Sequence, residues 1–345
     1  MGMIKRYLVG TVLLLVLFAG TVLAAQQANV FVYHRFGDDR YPSTNIDIEV
    51  FANQLEYLHQ NNYTVLYVSD IVNRLKKGIS LPDRCAALTV DDGYSTFLTG
   101  AMPLLRQYGF PVTLFVSSGS VGSGSYLNWH QLRQLQNEGV EIGNHSASHP
   151  YFVGNEVNDP DGWRQKASQD IGSAQKAFKK YLNYIPTAFA YPYGEYSSAM
   201  EELLEELGFD AAFAQQSGVI SSELSSYYSL PRFPMGGAYA TLSGFKSKLA
   251  MKPLPIKLFS TSDPVLADQD PPLMVFSLDT TDINVDSLCC YVQGQKMVKA
   301  VALGADKFSV RAEKSLAGRR NKYTLTAQSC DGKSWYWFSH LWIHP

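Results

Sequence analysis

Leu88-Thr89-Val90-Asp91-Asp92-Gly93-Tyr94 ends an apolar run in two adjacent carboxylates, and His145-Ser146-Ala147-Ser148-His149 follows further along the chain. One carboxylate and two imidazoles make a three-ligand metal site with a position left for water, and the second carboxylate remains free to act as a base. Each stretch alone is ambiguous, since Asp-Asp-Gly is an ordinary turn signal and two histidines four apart arise by chance. Together, each at the end of a predicted strand, they sit where α/β folds place chemistry. The reading is metal-assisted hydrolysis.

Outward from these two stretches, strand and helix patterns alternate from residue 28 to about 250. Asn29 to His34, Tyr63 to Val68, Ala86 to Val90, Val112 to Val116, Val140 to Gly143 and Thr187 to Tyr191 read as strands. Glu49 to Gln60, Asp70 to Lys77, Phe97 to Tyr108, Trp129 to Glu138, Gln165 to Tyr181 and Ser198 to Leu207 read as helices, several of them stopped by glycine. Such alternation predicts a parallel sheet, open or closed into a barrel. Two prolines in Met251-Lys252-Pro253-Leu254-Pro255 break the pattern. Beyond them six short strand patterns, from Leu273 to Ile343, predict a β-sandwich.

The chain of 345 residues exceeds a usual single domain, which agrees with a large domain followed by a small one. With 29 Lys and Arg against 31 Asp and Glu, and no long basic run, nucleic acid is excluded as the main partner and a weakly charged substrate is favoured. Lys5 and Arg6 precede an apolar run from Leu8 to Leu23 with Val22-Leu23-Ala24 at its end, which reads as a signal peptide and predicts an exported protein, periplasmic or extracellular. The alternative is an uncleaved membrane anchor, because the run approaches a spanning length. In oxidising surroundings Cys289 or Cys290 could bridge to Cys330, while Cys85 reads as a buried small hydrophobe.

Thr89 to Tyr94 resembles the first motif of the NodB-like polysaccharide deacetylases, carbohydrate esterase family 4; His145 to His149 resembles their second, and Phe189-Ala190-Tyr191-Pro192-Tyr193-Gly194 their third. The resemblance implies an α/β fold, a distorted (β/α) barrel over residues 26–252, which stands between the signal peptide read at 1–25 and the all-β sandwich read at 253–345. It makes Asp92, His145 and His149 the ligands of a divalent metal, with zinc the default and nickel or cobalt suited to the same donors. It makes Asp91 the general base and a backbone N–H beside Tyr193 a helper at the oxyanion. In many relatives the third motif carries an arginine that orients the base, where this chain has Ala190. Arg232, in Leu230-Pro231-Arg232-Phe233-Pro234, is a candidate replacement, a surface arginine in a proline-rich turn being the plain reading. No histidine lies between His149 and His340 to match the family's late one. His34, in Val30-Phe31-Val32-Tyr33-His34-Arg35-Phe36, is the candidate general acid, as in the exported poly-β-1,6-N-acetylglucosamine deacetylases that this chain also resembles.

Tyr191, Pro192 and Tyr193, with Trp129 and Arg232, are the expected substrate contacts. Trp129 reads equally as a core residue of its helix, and Trp163 is expected in a polar loop at the rim of the cleft. His340 and His344 repeat the spacing of the metal pair without a nearby carboxylate and are not expected to bind metal. The expected activity is removal of N-acetyl groups from an amino-sugar polymer of poly-N-acetylglucosamine type. The family also acts on O-acetyl xylan and peptidoglycan, a non-catalytic carbohydrate binder would use the same fold, and a non-sugar amide would use the same residues. The sandwich, with Trp335, Tyr336, Trp337 and Trp342 at its end, could bind polysaccharide or a protein partner, or simply pack.

Overall fold

The computed structural model describes residues 26–345, apart from residues 155, 157, 224, 225, 259, 261, 262 and 267–269. The expected signal peptide therefore lies outside the described residues. Five parallel strands form the centre of the first sheet: Gln27–Tyr33, Cys85–Val90, Thr113–Val116, Glu141–Asn144 and Ala188–Ala190, followed by Ala211–Phe213 at one end. The Cys85–Val90 strand is apolar or buried at every position, as a strand covered on both faces must be.

The sheet curls, and a single extended segment bridges its two ends. Leu230 forms a parallel bridge to Phe213, and three residues on Phe233 pairs with Phe31 of the first strand. Backbone hydrogen bonds from Leu230 to Ala212, from Arg232 to Gln216 and from Met235 to Val32 stitch this segment to both neighbours. The sequence offers only Leu230 to Pro234 as a proline-rich turn; its prolines sit at a short edge pairing that needs few donors.

Helices cover the sheet for local reasons legible in the chain. Asp47 caps Ile48–Gln60 by accepting from the backbone of Glu49 and Val50, and Phe51, Leu55 and Leu58 on one stripe are buried. Asn128 and Gln131 form a reciprocal capping box at Trp129–Asn137. Pro160–Leu182 begins earlier than its apolar periodicity predicts, because Asp159 caps it and Pro160 fits the first turn. Trp163 consequently lies in that first turn, buried, with its indole N–H donated to the Phe152 carbonyl, and not at the rim of a cleft. The helix expected from Phe97 opens with one wide turn, in which the Met102 N–H reaches back to the Phe97 carbonyl, before Met102–Tyr108 continues as α-helix.

From Met251 onward the chain builds two antiparallel-rich sheets of five and four strands around a shared core that includes Phe276, Phe308, Tyr323, Leu325 and Trp342. The break expected at 251–255 is itself partly strand: Met251–Pro253 runs parallel to Trp335–Trp337. The aromatic crowd near the end mostly packs. Trp342 is in the core, and Trp337 donates to the Ser217 carbonyl and meets Phe233 edge-on, joining sandwich to barrel. All four cysteines are free thiols, and the expected bridge to Cys330 does not form. Cys289 pairs in register with Thr326, so four residues of strand, about 13 Å, separate it from the level of Cys330, against a Cα separation below about 7 Å for a disulfide.

The two bodies are also joined by charge. Arg319, leaving the sandwich, donates to both carboxylate oxygens of the buried Glu195 and to the Val153 carbonyl. Arg319→Ala strips that carboxylate of its two-pronged partner. It is expected to lower stability by about 1–3 kcal/mol, read as a fall in the midpoint of equilibrium urea unfolding; an unmoved midpoint would show that the contact contributes nothing.

Candidate active site

The strands deliver the two motifs to one end of the sheet. The Asp91 N–H bonds the Tyr33 carbonyl and the His145 N–H bonds the Val116 carbonyl, extending the pairing of the Cys85–Val90 and Glu141–Asn144 strands by one residue each. Immediately beyond, the backbone turns into the left-handed region at Asp92 (φ 74°), Ser146 (φ 67°), His149 (φ 55°) and Tyr193 (φ 59°). Such conformations cost about 1–3 kcal/mol at a non-glycine residue and persist where surrounding bonds enforce them. Here Asn144 accepts the Ser146 N–H, Ser146 Oγ accepts the His149 N–H, and Asp170 accepts from Ala147 N and from both the N–H and hydroxyl of Ser148.

Asp92 Oδ1 lies 3.3 Å from His145 Nε2 and 3.4 Å from His149 Nε2. The three donor atoms fall within 4.8 Å of one another. A tetrahedral ion with ligand bonds of about 2.0–2.1 Å has donor-to-donor edges of about 3.3–3.4 Å, so the spacing fits a divalent metal with a fourth position open. The second ring nitrogen agrees: His145 Nδ1 stands 2.7 Å from the Ala190 carbonyl, which can only accept, so Nδ1 carries the proton and Nε2 presents its lone pair. Burial by itself would raise the Asp92 pKa, but the facing His145 and His149 rings outweigh it and hold the carboxyl well below its ordinary range. The group is thus an anion among imidazoles, the donor set a cation requires.

Asp91 is fully buried, beside these ligands, and pairs with Arg232. Both Arg232 terminal nitrogens donate to it, at 2.7 and 2.8 Å, while Nε donates to the Ala214 carbonyl and Nη1 also reaches the Thr89 hydroxyl. Neither side chain touches solvent. Burial pushes the Asp91 pKa up, and the charges of Arg232 and His145 with the Arg232 hydrogen bonds more than reverse it. Arg232 therefore orients Asp91, the place the third motif leaves empty at Ala190; as a substrate contact it is corrected, because it is sealed behind the carboxylate.

His34 follows the first strand and lines the same cleft as Asp92, His145 and His149. Its ring Nε2 lies 3.3 Å from the Gln215 amide nitrogen. Gln215 can stand there because position 194 is glycine: a Cβ on Gly194, at φ 71°, would meet the Gln215 Cβ at 2.3 Å. Burial lowers the His34 pKa first and foremost, with Asp92 and Asp91 opposing.

The other expected contacts divide. Tyr193 lines the cleft, its ring edge-on to His149 at 4.5 Å and stacked on Tyr151 at 3.9 Å. Tyr191 is corrected: it is a core residue, packed on Phe189 and bonded to the Tyr228 carbonyl, because alternation along the strand turns it inward. Pro192 is likewise buried and does not line the cleft. Trp129 stacks on Tyr181 at 4.7 Å and meets Phe178, serving helix packing away from the cleft. His340 is buried in the sandwich with its pKa lowered to about 4 by burial, and His344 faces Asp270; neither joins a metal-ligand cluster among the described residues.

Sequence reasoning missed Gln215, Tyr126 and the sandwich residues Arg320 and Lys322, which also line the cleft of about 790 Å³, and Asp170, which holds the turn before His149. None sits in a recognisable spacing; a polar residue on a surface helix or strand carries no signal of what it will face. The Arg232 pair makes a prediction with a sign. Arg232→Gln leaves a buried carboxylate without its countercharge, an expected loss of about 3–5 kcal/mol at neutral pH. Because the Asp91 pKa is depressed in the fold, the pair's contribution is present above the unfolded carboxyl pKa and is lost as pH falls. The deficit should therefore shrink below about pH 4, and an equal deficit in urea unfolding at pH 7 and pH 3.5 would contradict the assignment.

Residues 78–212 match the family described as polysaccharide deacetylase. The chain is 24% identical over 222 residues to the poly-beta-1,6-N-acetyl-D-glucosamine N-deacetylase of Staphylococcus epidermidis, covering 62% of this chain and 76% of that protein. Two solved structures share the fold: IcaB from Ammonifex degensii (TM-score 0.57, 23% identity, 66% of this chain and 97% of that one) and the Streptococcus pyogenes deacetylase PplD in complex with acetate (TM-score 0.57, 19% identity, 65% and 98%). The first and second motifs, the curled parallel sheet and the Asp-His-His cluster at its end agree with that match, so residues 78–212 fall within a domain of polysaccharide deacetylase type.

Proposed function

We propose that the chain is a metal-dependent hydrolase that removes N-acetyl groups from an amino-sugar polysaccharide of poly-N-acetylglucosamine type, outside the cytoplasm. One observation carries the reading: a carboxylate held in a fixed bidentate grip by Arg232 adjoins the Asp92, His145 and His149 cluster, with a partly buried histidine in the same cleft. The relative from Staphylococcus epidermidis supports the polymer by its name, and the Lys5-Arg6 and Leu8 to Leu23 pattern supports export. Among the described residues no helix is long and apolar enough to cross a membrane.

Asp92, His145 and His149 would hold the ion, zinc by the mixture of carboxylate and imidazole donors, with nickel and cobalt suited as well. A divalent ion there supplies Lewis acidity toward the acetyl carbonyl and acidifies the attacking water. Asp91 takes the water's proton: each oxygen accepts one Arg232 N–H and keeps a second lone pair for that purpose. Arg232 fixes the carboxylate plane and keeps it ionised, so the base needs no reorientation during the reaction. His34 gives a proton to the sugar nitrogen as the C–N bond breaks, releasing acetate and the amine. The Gln215 amide beside His34 Nε2 can turn its oxygen or its NH₂ to the ring as the proton leaves and returns. Tyr193, braced by Tyr151, offers an aromatic face to a pyranose ring next to His149.

A non-catalytic binder on the same fold drew its support from Ala190 and from the missing late histidine. Arg232 and His34 stand where those absences would be felt, which weakens that reading.

Acetate release from β-1,6- and β-1,4-linked N-acetylglucosamine oligomers and from acetylated xylan, with and without chelator and re-added zinc, is the primary test. Chelator-sensitive release from an amino-sugar oligomer is expected; release from xylan alone would make the chain an O-acetyl esterase. Asp92→Ala should lose metal and activity together, whereas Asp91→Asn should keep the metal and lose about 10²–10⁴-fold in rate. The acid role of His34 has a sign in pH. A general acid must be protonated, and burial sets the His34 pKa below the ordinary value of about 6.5. kcat/KM should then fall as pH rises through a value below 6.5, and His34→Ala should remove that limb; a limb retained in the variant belongs to another group.

A further inference from the structure

The cleft wall opposite the barrel motifs is made by the sandwich. Strand Arg320–Ser329 enters with Arg320 and Lys322 on one face, two residues apart, and Lys322 pairs in register with Leu341 of the next strand. Gln293, one residue beyond the Val292 that pairs with Tyr323, lies across on the other neighbouring strand, so Gln293, Lys322 and Leu341 line the cleft side by side.

The two cations differ in what they do inside the protein. Arg320 is committed: its guanidinium donates to the Tyr193 carbonyl and approaches Glu195 at 3.8 Å. Lys322 is half-buried, and its ammonium has no hydrogen bond or ion pair among the described residues. Burial, followed by the charge of Arg320, lowers its pKa, the behaviour of a cation short of an anion. Asp92 is the only carboxylate lining this cleft among the described residues, and it belongs to the Asp-His-His cluster. What remains of the wall's fixed charge is positive.

We infer that Lys322 is a specificity residue that sorts saccharides by charge, preferring a glycan with a carboxylate beside the reacting N-acetyl sugar over a neutral one, and a neutral one over a glycan already deacetylated. This rests on the deacetylase reading of the same cleft and goes beyond it, since the neutral homopolymer gives Lys322 no partner. Deacetylation turns an uncharged amide into an amine that protonates in water, and each such amine near Lys322 repels it. A carboxylate, whether from a uronic acid in the backbone or from a lactyl ether on an amino sugar, supplies the missing anion. Glucosamine units made by the enzyme would thereby discourage hydrolysis at the adjoining sugar.

The test uses the full chain and sets of N-acetylglucosamine oligomers of equal length: fully acetylated, partly deacetylated, alternating with glucuronate, and alternating with N-acetylmuramic acid. For the wild type, kcat/KM is expected to separate by about fivefold at each step from carboxylate to neutral to amine, the scale of one partly screened ion pair, and to converge as salt rises. Lys322→Met should collapse the order and Lys322→Glu should invert it. The glucuronate and muramic acid arms tell which source of carboxylate the wall accepts. A carboxylate-to-neutral ratio in Lys322→Met within twofold of wild type overturns the inference, while acetate release from the neutral oligomer upholds the deacetylase reading independently. If no oligomer releases acetate, that reading fails, and calorimetric binding of the glucuronate oligomer to wild type and Lys322→Glu decides the subsite alone: equal affinities reject it. Because Lys322 has no partner to orphan, unfolding midpoints of the variants should match wild type, and a folded Lys322→Met with an unchanged charge order is a clear refutation.

Discussion

The bidentate pair of Arg232 and Asp91 ties the ends of this fold to its chemistry. Two buried charges are costly to desolvate, and only near-ideal geometry with all remaining donors satisfied offsets that cost. The structure comes close to the condition: four of the five guanidinium N–H groups find acceptors among Asp91, Thr89 and the Ala214 carbonyl. Arg232 reaches them because the segment it rides is held on one side by the Ala211–Phe213 strand and on the other by the first strand. Closing the sheet and aiming the candidate base are thus one event. A sheet that stayed open would leave Asp91 buried and unpaired, so the ion pair specifies closure even where it adds little net stability.

The same economy governs the Asp92, His145 and His149 cluster. Left-handed backbone at Asp92, Ser146, His149 and Tyr193 lets short turns project donors inward directly from strand ends. The conformational cost is offset by hydrogen bonds from side chains with no other task, such as Ser117 to the His145 carbonyl and Asp170 to the turn before His149. Asp170 arrives from the middle of Pro160–Leu182, so that helix is tied to the turn that carries His149. Rigid placement of this kind suits a site in which atoms must be held before the reaction begins.

What the sequence made legible follows from the range of the interactions. Carboxylates and histidines at strand ends advertise themselves by local spacing, and strand and helix alternation gave the parallel sheet. Arg232 acts on a partner 141 residues away through a turn that looks like surface, so its spacing says nothing of its burial. Tyr191 and Pro192 share a motif with Tyr193, but the chain leaves the strand there in a tight turn with left-handed backbone at Tyr193 (φ 59°), and of the three only Tyr193 meets the cleft. The pairing expected for Cys289 or Cys290 with Cys330 failed on register, which no count of cysteines reveals. Trp129 was open to two readings from sequence, and Tyr181 on the neighbouring helix decided between them.

The sandwich enters the argument through Tyr193. That residue is held from above by the Arg320 guanidinium on its carbonyl and from the side by Tyr151, whose ring in turn lies under Arg319, itself clamped on Glu195. Glu195 is two residues past Tyr193 on the same loop. Loop and sandwich therefore brace each other, and the ring beside His149 has its position set by residues of both bodies. A barrel stripped of the sandwich would keep Asp91, Asp92, His145, His149 and His34 on its own strands, yet it would lose the contacts that hold Tyr193 over them. The accessory body is in this sense part of the cleft's architecture, and the charge it brings there belongs to the recognition of the substrate.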